Sequence, residues 1–155
     1  MADINYQIIK PGDDEEIALI ATWYLKEWNI PTATTVAKIK KLSGDNNEFQ
    51  VLMIVDNEPI ATGGLYNHVA ILDKEPGLKM YKNWLALVYT TPAQRGKGFG
   101  TLLCKEIQQQ SAALGLKEIY LFTHTAESLY QRLGWQQVER LNLAGKEIIV
   151  MTKAL

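Results

Sequence analysis

The chain has one cysteine, Cys104, among its 155 residues. That excludes an internal disulfide and any cysteine-built metal cluster. Histidine is almost as scarce, with only His68 and His124, and a zinc site needs more ligands than these supply. No metal is therefore expected. No run approaches the roughly 18 apolar residues of a membrane span. The first residues, Met-Ala-Asp-Ile-Asn, lack the basic start and apolar stretch of a secretory signal. A soluble, cytoplasmic protein is the expectation. Neither charge sign is in excess: 16 Lys and Arg stand against 17 Asp and Glu, a net charge of −1. A general nucleic-acid or membrane-surface binder needs a basic face, so neither partner is expected. Repeats, low-complexity tracts and long linkers are absent too. The length suits one domain over residues 1–155.

What is present is apolar content, 47% of the chain, in alternating periods. Tyr6 to Lys10 reads as a short strand, and Pro11-Gly12-Asp13-Asp14 as a turn and helix cap. Ile17, Ile20, Ala21, Tyr24, Leu25 and Trp28 follow at helical spacing, and Asn29 to Pro31 ends that helix. A second helix is expected over Thr32 to Leu42, with Val36, Ile39 and Leu42 inward. Gln50 to Val55 and Ile60 to Tyr66 read as strands joined by a hairpin turn at Asp56-Asn57-Glu58-Pro59. Residues 72–82 read as a polar loop. Trp84 to Thr90 is apolar almost throughout, the pattern of a strand buried on both faces. A helix over Thr101 to Leu114 ends at Gly115. Glu118 to Thr123 is a strand, and Ala126 to Leu133 a short helix closed by Gly134. Trp135 to Arg140 and Glu147 to Lys153 pair around Ala144-Gly145. The centre is thus strand, turn, helix, strand, a unit that makes two parallel strands. The remaining strands read as hairpins, in a mixed sheet with helices on both faces.

The turn inside that unit is the most informative segment. Val88-Tyr89-Thr90 breaks at Thr91-Pro92, and Arg95-Gly96-Lys97-Gly98-Phe99-Gly100 leads into the helix that begins near Thr101. Glycines let backbone approach an anion. The unpaired N–H groups and the dipole of a helix start then attract it. Arg95 and Lys97 add full charges. No segment fits the Gly-x-x-x-x-Gly-Lys-Ser/Thr pattern of a P-loop. A dinucleotide fingerprint, Gly-x-Gly-x-x-Gly, meets threonine at position 101, and Pro92-Ala93-Gln94 lengthens the turn. That weighs against a dinucleotide-dependent oxidoreductase.

The hexapeptide Arg95 to Gly100 resembles the acetyl-CoA pyrophosphate loop of the GNAT superfamily of N-acetyltransferases, Gln/Arg-x-x-Gly-x-Gly/Ala. Arg95, Gly98 and Gly100 take its three defined positions. Pro92-Ala93-Gln94-Arg95-Gly96-Lys97-Gly98 looks like the superfamily's Pro-x-x-Arg-Gly-x-Gly run, and Trp84 to Tyr89 like the strand before it. Downstream, Ala126-Glu127-Ser128-Leu129-Tyr130-Gln131-Arg132-Leu133-Gly134-Trp135 is similar to the block Ala-x-x-Leu/Phe-Tyr-x-x-x-Gly-Phe/Trp. The resemblance spans essentially the whole chain, most strongly residues 84–135.

This resemblance implies an α+β fold, with a mostly antiparallel sheet of six to seven strands. A central parallel pair splays apart, and helices cover both faces. It implies acetyl-CoA as co-substrate and direct transfer to an amine in a ternary complex. Residues Arg95, Gly96, Lys97, Gly98, Phe99, Gly100 and Thr101 would hold the pyrophosphate. Val88, Tyr89 and Thr90 would line the pantetheine arm as an added strand, with a backbone N–H near Val88 on the thioester carbonyl. Tyr130 matches the family tyrosine that protonates the departing thiolate. Thr123 stands where many members carry a pantetheine-binding asparagine, and its reach is shorter. Many members place a base, Glu, on the strand before the loop, yet residues 84–90 contain no carboxylate. An alkyl amine is neutral in only about one molecule in 2,500 at pH 7. His124, at the expected mouth of the cleft, is the substitute candidate. Glu27 and Trp28 are candidates for holding a cationic amine, against the plainer reading of a solvated Glu27 and a core Trp28. The acceptor is left open between a small-molecule amine and a protein amine, and a homodimer is compatible with the superfamily. A non-catalytic acyl-CoA-binding module on the same fold is the alternative.

Overall fold

The computed structural model describes residues 2–42 and 44–155. Seven strands form one sheet: β1 (Ile4–Ile8), β2 (Phe49–Val55), β3 (Glu58–Tyr66), β4 (Trp84–Thr90), β5 (Glu118–Thr123), β6 (Gln136–Leu143) and β7 (Lys146–Ala154). Their spatial order is β1-β2-β3-β4-β5-β7-β6. Every neighbouring pair is antiparallel except β4 with β5. The helices are α1 (Asp14–Trp28), α2 (Thr32–Lys40), α3 (Ile71–Lys74), α4 (Phe99–Ala113) and α5 (Glu127–Arg132). The sheet is therefore mixed, with seven strands where six to seven were expected and a parallel pair at its centre.

Alternation of side chains across the sheet sets two separate cores. On one face, Leu103 and Ile107 of α4 pack with Val51, Met53, Leu85, Leu121 and Met151. Tyr130 and Leu133, from α5 and its C-cap, lean on the same cluster. On the other face, Ile17, Ile20, Trp23 and Tyr24 of α1 and Ile39 of α2 cover Leu52 and Tyr89. Three acidic residues open α1, and Asn29 closes it in the left-handed conformation, φ 55°. Asp13 braces the turn before α1: its carboxylate accepts from the Lys10 N–H at 2.8 Å instead of capping the helix.

Three sequence expectations need correction. Residues 72–82 are not a polar loop: α3 and a 3-10 turn, Pro76–Met80, run through them. Leu72 and Leu78 are buried there with Tyr66, Val69, Ile71 and Trp84 in a third core cluster. The apolar residues lie between charged ones at no regular period, so their burial was hidden. The β2–β3 hairpin turns on Asp56 and Asn57 alone, both at positive φ (50° and 68°), the two-residue turn that matches strand twist. Glu58 and Pro59 already belong to β3. Finally, β4 is buried on both faces only at its start. Trp84 and Leu85 are buried, whereas Ala86, Leu87, Val88 and Thr90 are half-buried. Their partner strand has moved away.

Candidate active site

The parallel ladder is very short. Trp84 pairs with Tyr120, the Tyr120 N–H donates to the Asn83 carbonyl at 3.0 Å, and beyond that point β4 and β5 part. The divergence coincides with a bulge in β4. Thr62 opposes Tyr89 and Gly64 opposes Ala86, so Leu87 and Val88 together face Gly63. Leu87 has a φ of 56°, a left-handed conformation that costs a non-glycine residue about 1–2 kcal/mol. The side-chain pattern records the slip. Ala86 and Leu87 both face the α1 side, whereas Val88 turns to the α4 side and Tyr89 back again.

A buried polar network holds this bulge. The Tyr24 hydroxyl donates to the Leu87 carbonyl at 2.6 Å. Gln50 Nε2 donates to the Tyr24 hydroxyl at 3.0 Å and to Thr62 Oγ1 at 2.8 Å. Thr62 donates onward to the Val51 carbonyl at 2.7 Å, and the Tyr66 hydroxyl donates to Gln50 Oε1. Tyr24, Gln50, Thr62 and Tyr66 are all at most 1% exposed. Burial pushes the Tyr24 and Tyr66 hydroxyls well above the ordinary tyrosine range, so both stay protonated donors. Sequence reasoning passed over this network. Its signal was a glutamine and a threonine inside otherwise apolar strands.

On the α4 side the bulge opens into a cavity of about 340 Å³. Val88 and Thr90 of β4, the loop residues Arg95, Gly96 and Gly98, the α4 residues Phe99, Gly100 and Thr101, and Tyr130 all line it. Most of the residues singled out in the sequence for the donor therefore meet in one place. Gly96 and Gly98 adopt φ of 77° and 86°, and a Cβ added at either would meet nothing within 4 Å. The requirement is conformational, and it leaves the backbone open to a ligand. The first α4 hydrogen bond runs from Leu102 N–H to the Gly98 carbonyl, and no side chain caps the helix. The N–H groups of Phe99, Gly100 and Thr101 precede that bond and face an uncapped end. This is an anion cradle on a full-length helix, and it fits a pyrophosphate.

Other expected residues lie at the margin. Arg95 is ordered by the protein itself: its Nε donates to the Thr90 carbonyl at 2.8 Å and its Nη2 to Glu27 Oε2 at 2.9 Å. Glu27 is thus engaged with Arg95, tying α1 to the donor loop. Lys97 donates to Gln94 Oε1 at 3.2 Å and does not line the cavity. Tyr89 faces the opposite side of the sheet, stacked on Trp23 with ring centroids 5.4 Å apart. Trp28 is 43% exposed and packs on Tyr24 and Tyr89. Thr123 Oγ1 accepts from the Ala126 N–H at 3.0 Å, which anchors the start of α5. His124 lines neither this cavity nor the one across the sheet. Its Nδ1 lies 2.9 Å from the Glu147 carbonyl.

Two groups in the cavity have shifted proton affinities. Burial, with a smaller repulsion from Cys104, pushes the Tyr130 hydroxyl up to about 12. Desolvation alone pushes the Cys104 thiol up to about 11. Both are protonated at neutral pH. The cavity therefore offers a phenolic proton donor and an anion cradle, beside the bulge at Val88. It contains no thiolate nucleophile. Among the described residues, no group of three His, Cys, Asp or Glu could hold a metal, and no helix is long and apolar enough to cross a membrane.

Comparison with known proteins agrees with this geometry. The family model for the acetyltransferase (GNAT) family matches residues 15–135. No curated protein matches the sequence. Among solved structures, the aminoglycoside 6'-N-acetyltransferase from Enterococcus faecium is similar, with 16% identity and TM-score 0.75 over 97% of this chain and 96% of that one. An aminoglycoside 6'-N-acetyltransferase complexed with coenzyme A gives 16% identity and TM-score 0.74 over 97% and 96%. A GNAT-family acetyltransferase from Streptococcus pneumoniae gives 14% identity and TM-score 0.73 over 99% of both chains.

Proposed function

Because the chain belongs to the acetyltransferase (GNAT) family, whose co-substrate is acetyl-CoA, we propose that it transfers the acetyl group to the primary amine of a small molecule, by direct attack in a ternary complex. One observation carries this reading: Val88, Tyr130 and the uncapped first turn of α4 open into the same 340 Å³ cavity. Acetyl-CoA supplies an activated thioester there. Backbone N–H groups from Gly96 to Thr101, with Arg95, hold the pyrophosphate. The Val88 N–H, presented by the bulge, donates to the thioester carbonyl oxygen, a contact of the kind worth about 3 kcal/mol in other enzymes. Tyr130 holds the proton that the leaving sulfur requires, and its raised affinity keeps that proton in place at neutral pH. Cys104 is protonated and only 4% exposed, a poor nucleophile, which supports direct transfer over an acetyl-cysteine route.

His124 is the proposed proton acceptor for the amine. A carbonyl can only accept, so the Glu147 contact places the proton on Nδ1 and leaves Nε2 of the neutral ring free to accept. Since His124 lines neither cavity, the proton passes through water.

The test is release of free CoA thiol from acetyl-CoA with a panel of amines. Tyr130→Phe is expected to lower kcat by about 10²–10⁴-fold with acetyl-CoA affinity unchanged. A full rate in that variant rules out the acid role. Neither cavity is lined by a carboxylate base, which keeps an acyl-CoA-binding module as the second reading. Tight acetyl-CoA binding with no turnover of any amine would establish that one instead.

A further inference from the structure

A second cavity, of about 320 Å³, lies on the opposite face of β4. Ala86 and Leu87 of β4 and Phe122 of β5 line it, so its floor is the place where the central strands part. Leu87 lines this cavity and Val88, the next residue of the bulge, lines the donor cavity. The walls are mainly apolar and aromatic, with Tyr24, Ile30, Ile39, Tyr66 and Val69 among them. No carboxylate lines it, and its one charged group is Lys38.

Lys38 is poorly partnered. Its ammonium sits 4.3 Å from the centroid of the Tyr66 ring and makes one long contact, 3.4 Å, to the His68 carbonyl. Among the described residues no carboxylate lies within ion-pair distance of it. Desolvation lowers its proton affinity, and Glu48, acting from farther off, only partly offsets this. An ammonium at the wall of an apolar cavity, backed by an aromatic face and short of acceptors, is a receptor for one anion.

We propose that this cavity receives the acceptor, and that the acceptor is a small amine with an aromatic or branched aliphatic body and one carboxylate, which Lys38 binds. The proposal rests on the acetyltransferase reading above. The cavity is near the lower end of small-ligand pockets, about 300–1,000 Å³, which suits a body of one ring. A polycation is disfavoured, because its ammonium groups would enter a site that offers no carboxylate and already holds a cation.

Thiol release is measured with acetyl-CoA and four acceptors: L-phenylalanine, phenethylamine, kanamycin and spermidine. Phenylalanine is expected to give the highest kcat/KM and the two polycations the lowest. Lys38→Met keeps the apolar stem and removes the charge. It is expected to lower kcat/KM for phenylalanine by about tenfold or more, the effect of one lost charge-assisted hydrogen bond, and not to lower it for phenethylamine, which has no carboxylate to lose. Lys38→Arg should restore part of the loss. A preference for kanamycin or spermidine overturns the proposal. So does a Lys38→Met effect that is equal for phenylalanine and phenethylamine, or absent for both. Turnover of none of the four by a protein that acetyl-CoA stabilises against heat overturns it as well. Absence of any stabilisation by acetyl-CoA sinks instead the acetyltransferase reading on which the proposal stands.

Discussion

Replacing Tyr24 by phenylalanine removes one oxygen atom and tests what holds the bulge in β4. That oxygen donates to the Leu87 carbonyl at 2.6 Å and accepts from Gln50 Nε2 at 3.0 Å. The Leu87 carbonyl loses this donor, and one of the two Gln50 Nε2 hydrogens loses its acceptor while the other keeps Thr62, in a region where Gln50 is fully buried. Leaving buried polar groups unpaired costs about 1–3 kcal/mol. The ring stays, so the cavity contribution is small. This loss is similar in size to the roughly 1–2 kcal/mol of strain at Leu87, the residue whose carbonyl the hydroxyl holds. The bulged conformation, proposed above to present the Val88 N–H, is therefore expected to lose its dominance. The expected result has three parts. Thermal unfolding shifts down by about 2–4 °C for each kcal/mol lost, given a domain of this size. The rate of acetyl transfer falls by about tenfold to a hundredfold, less than the roughly 10²–10³-fold cost of removing an oxyanion donor outright, because the N–H is displaced and not deleted. Affinity for CoA is unchanged, because the pyrophosphate cradle lies in residues 95–101. Thr62→Val is the control: it breaks the bonds to Gln50 and Val51 without touching Leu87, so it should cost stability with little effect on rate. If Tyr24→Phe melts lower yet transfers acetyl at the full rate, the hydroxyl does not position the bulge. If it melts like the parent protein, the network is not holding the fold.

Gly98→Ala meets no atom within 4 Å but must adopt a φ of 86°. It should lose about 1–2 kcal/mol and weaken CoA binding in titration calorimetry. Gly64→Ala should be far more damaging, since its Cβ would lie 2.6 Å from the Tyr66 ring and 2.7 Å from the Phe49 carbonyl, and circular dichroism should show a failure to fold. Glu27→Gln, which cuts a half-exposed ion pair with Arg95, should change stability by less than about 1 kcal/mol, as measured by urea unfolding. Alkaline titration should also be informative. Burial raises the proton affinities of Tyr24, Tyr66 and Tyr130 in the folded state, while the unfolded chain ionises its phenols near ~10. The unfolded state then binds fewer protons than the folded one. Stability should therefore fall as pH rises from about 10 towards 12, and a flat profile there would contradict the buried-phenol arrangement.

The cavity proposed for the donor was legible because its requirements are local. A helix start that must bind an anion needs glycine at positive φ and no side-chain cap, and Gly96-Lys97-Gly98-Phe99-Gly100 states both within a few residues. Tyr130 was legible as part of a contiguous block. The cavity proposed for the acceptor was not legible in the same way. Lys38 and Tyr66 are far apart in sequence, one inside the expected second helix and the other at the end of an expected strand. The buried leucines of residues 72–82 were hidden because no period linked them. The even apolar run of β4 concealed a strand whose second half is open, since burial there depends on where β5 goes.

By itself the sequence determined the order of the strands and, apart from α3, of the helices, together with the glycine-rich turn. These follow from short-range rules of backbone conformation and side-chain period. The separation of β4 and β5 was an expectation of the family resemblance, but tertiary structure alone decided that it follows a single pairing, and that Leu87 takes a conformation leucine disfavours. It also decided that Tyr24, from the first helix, holds that residue there. A strained residue carries no signal of its own in sequence, because the bonds that stabilise it come from elements brought together only by folding.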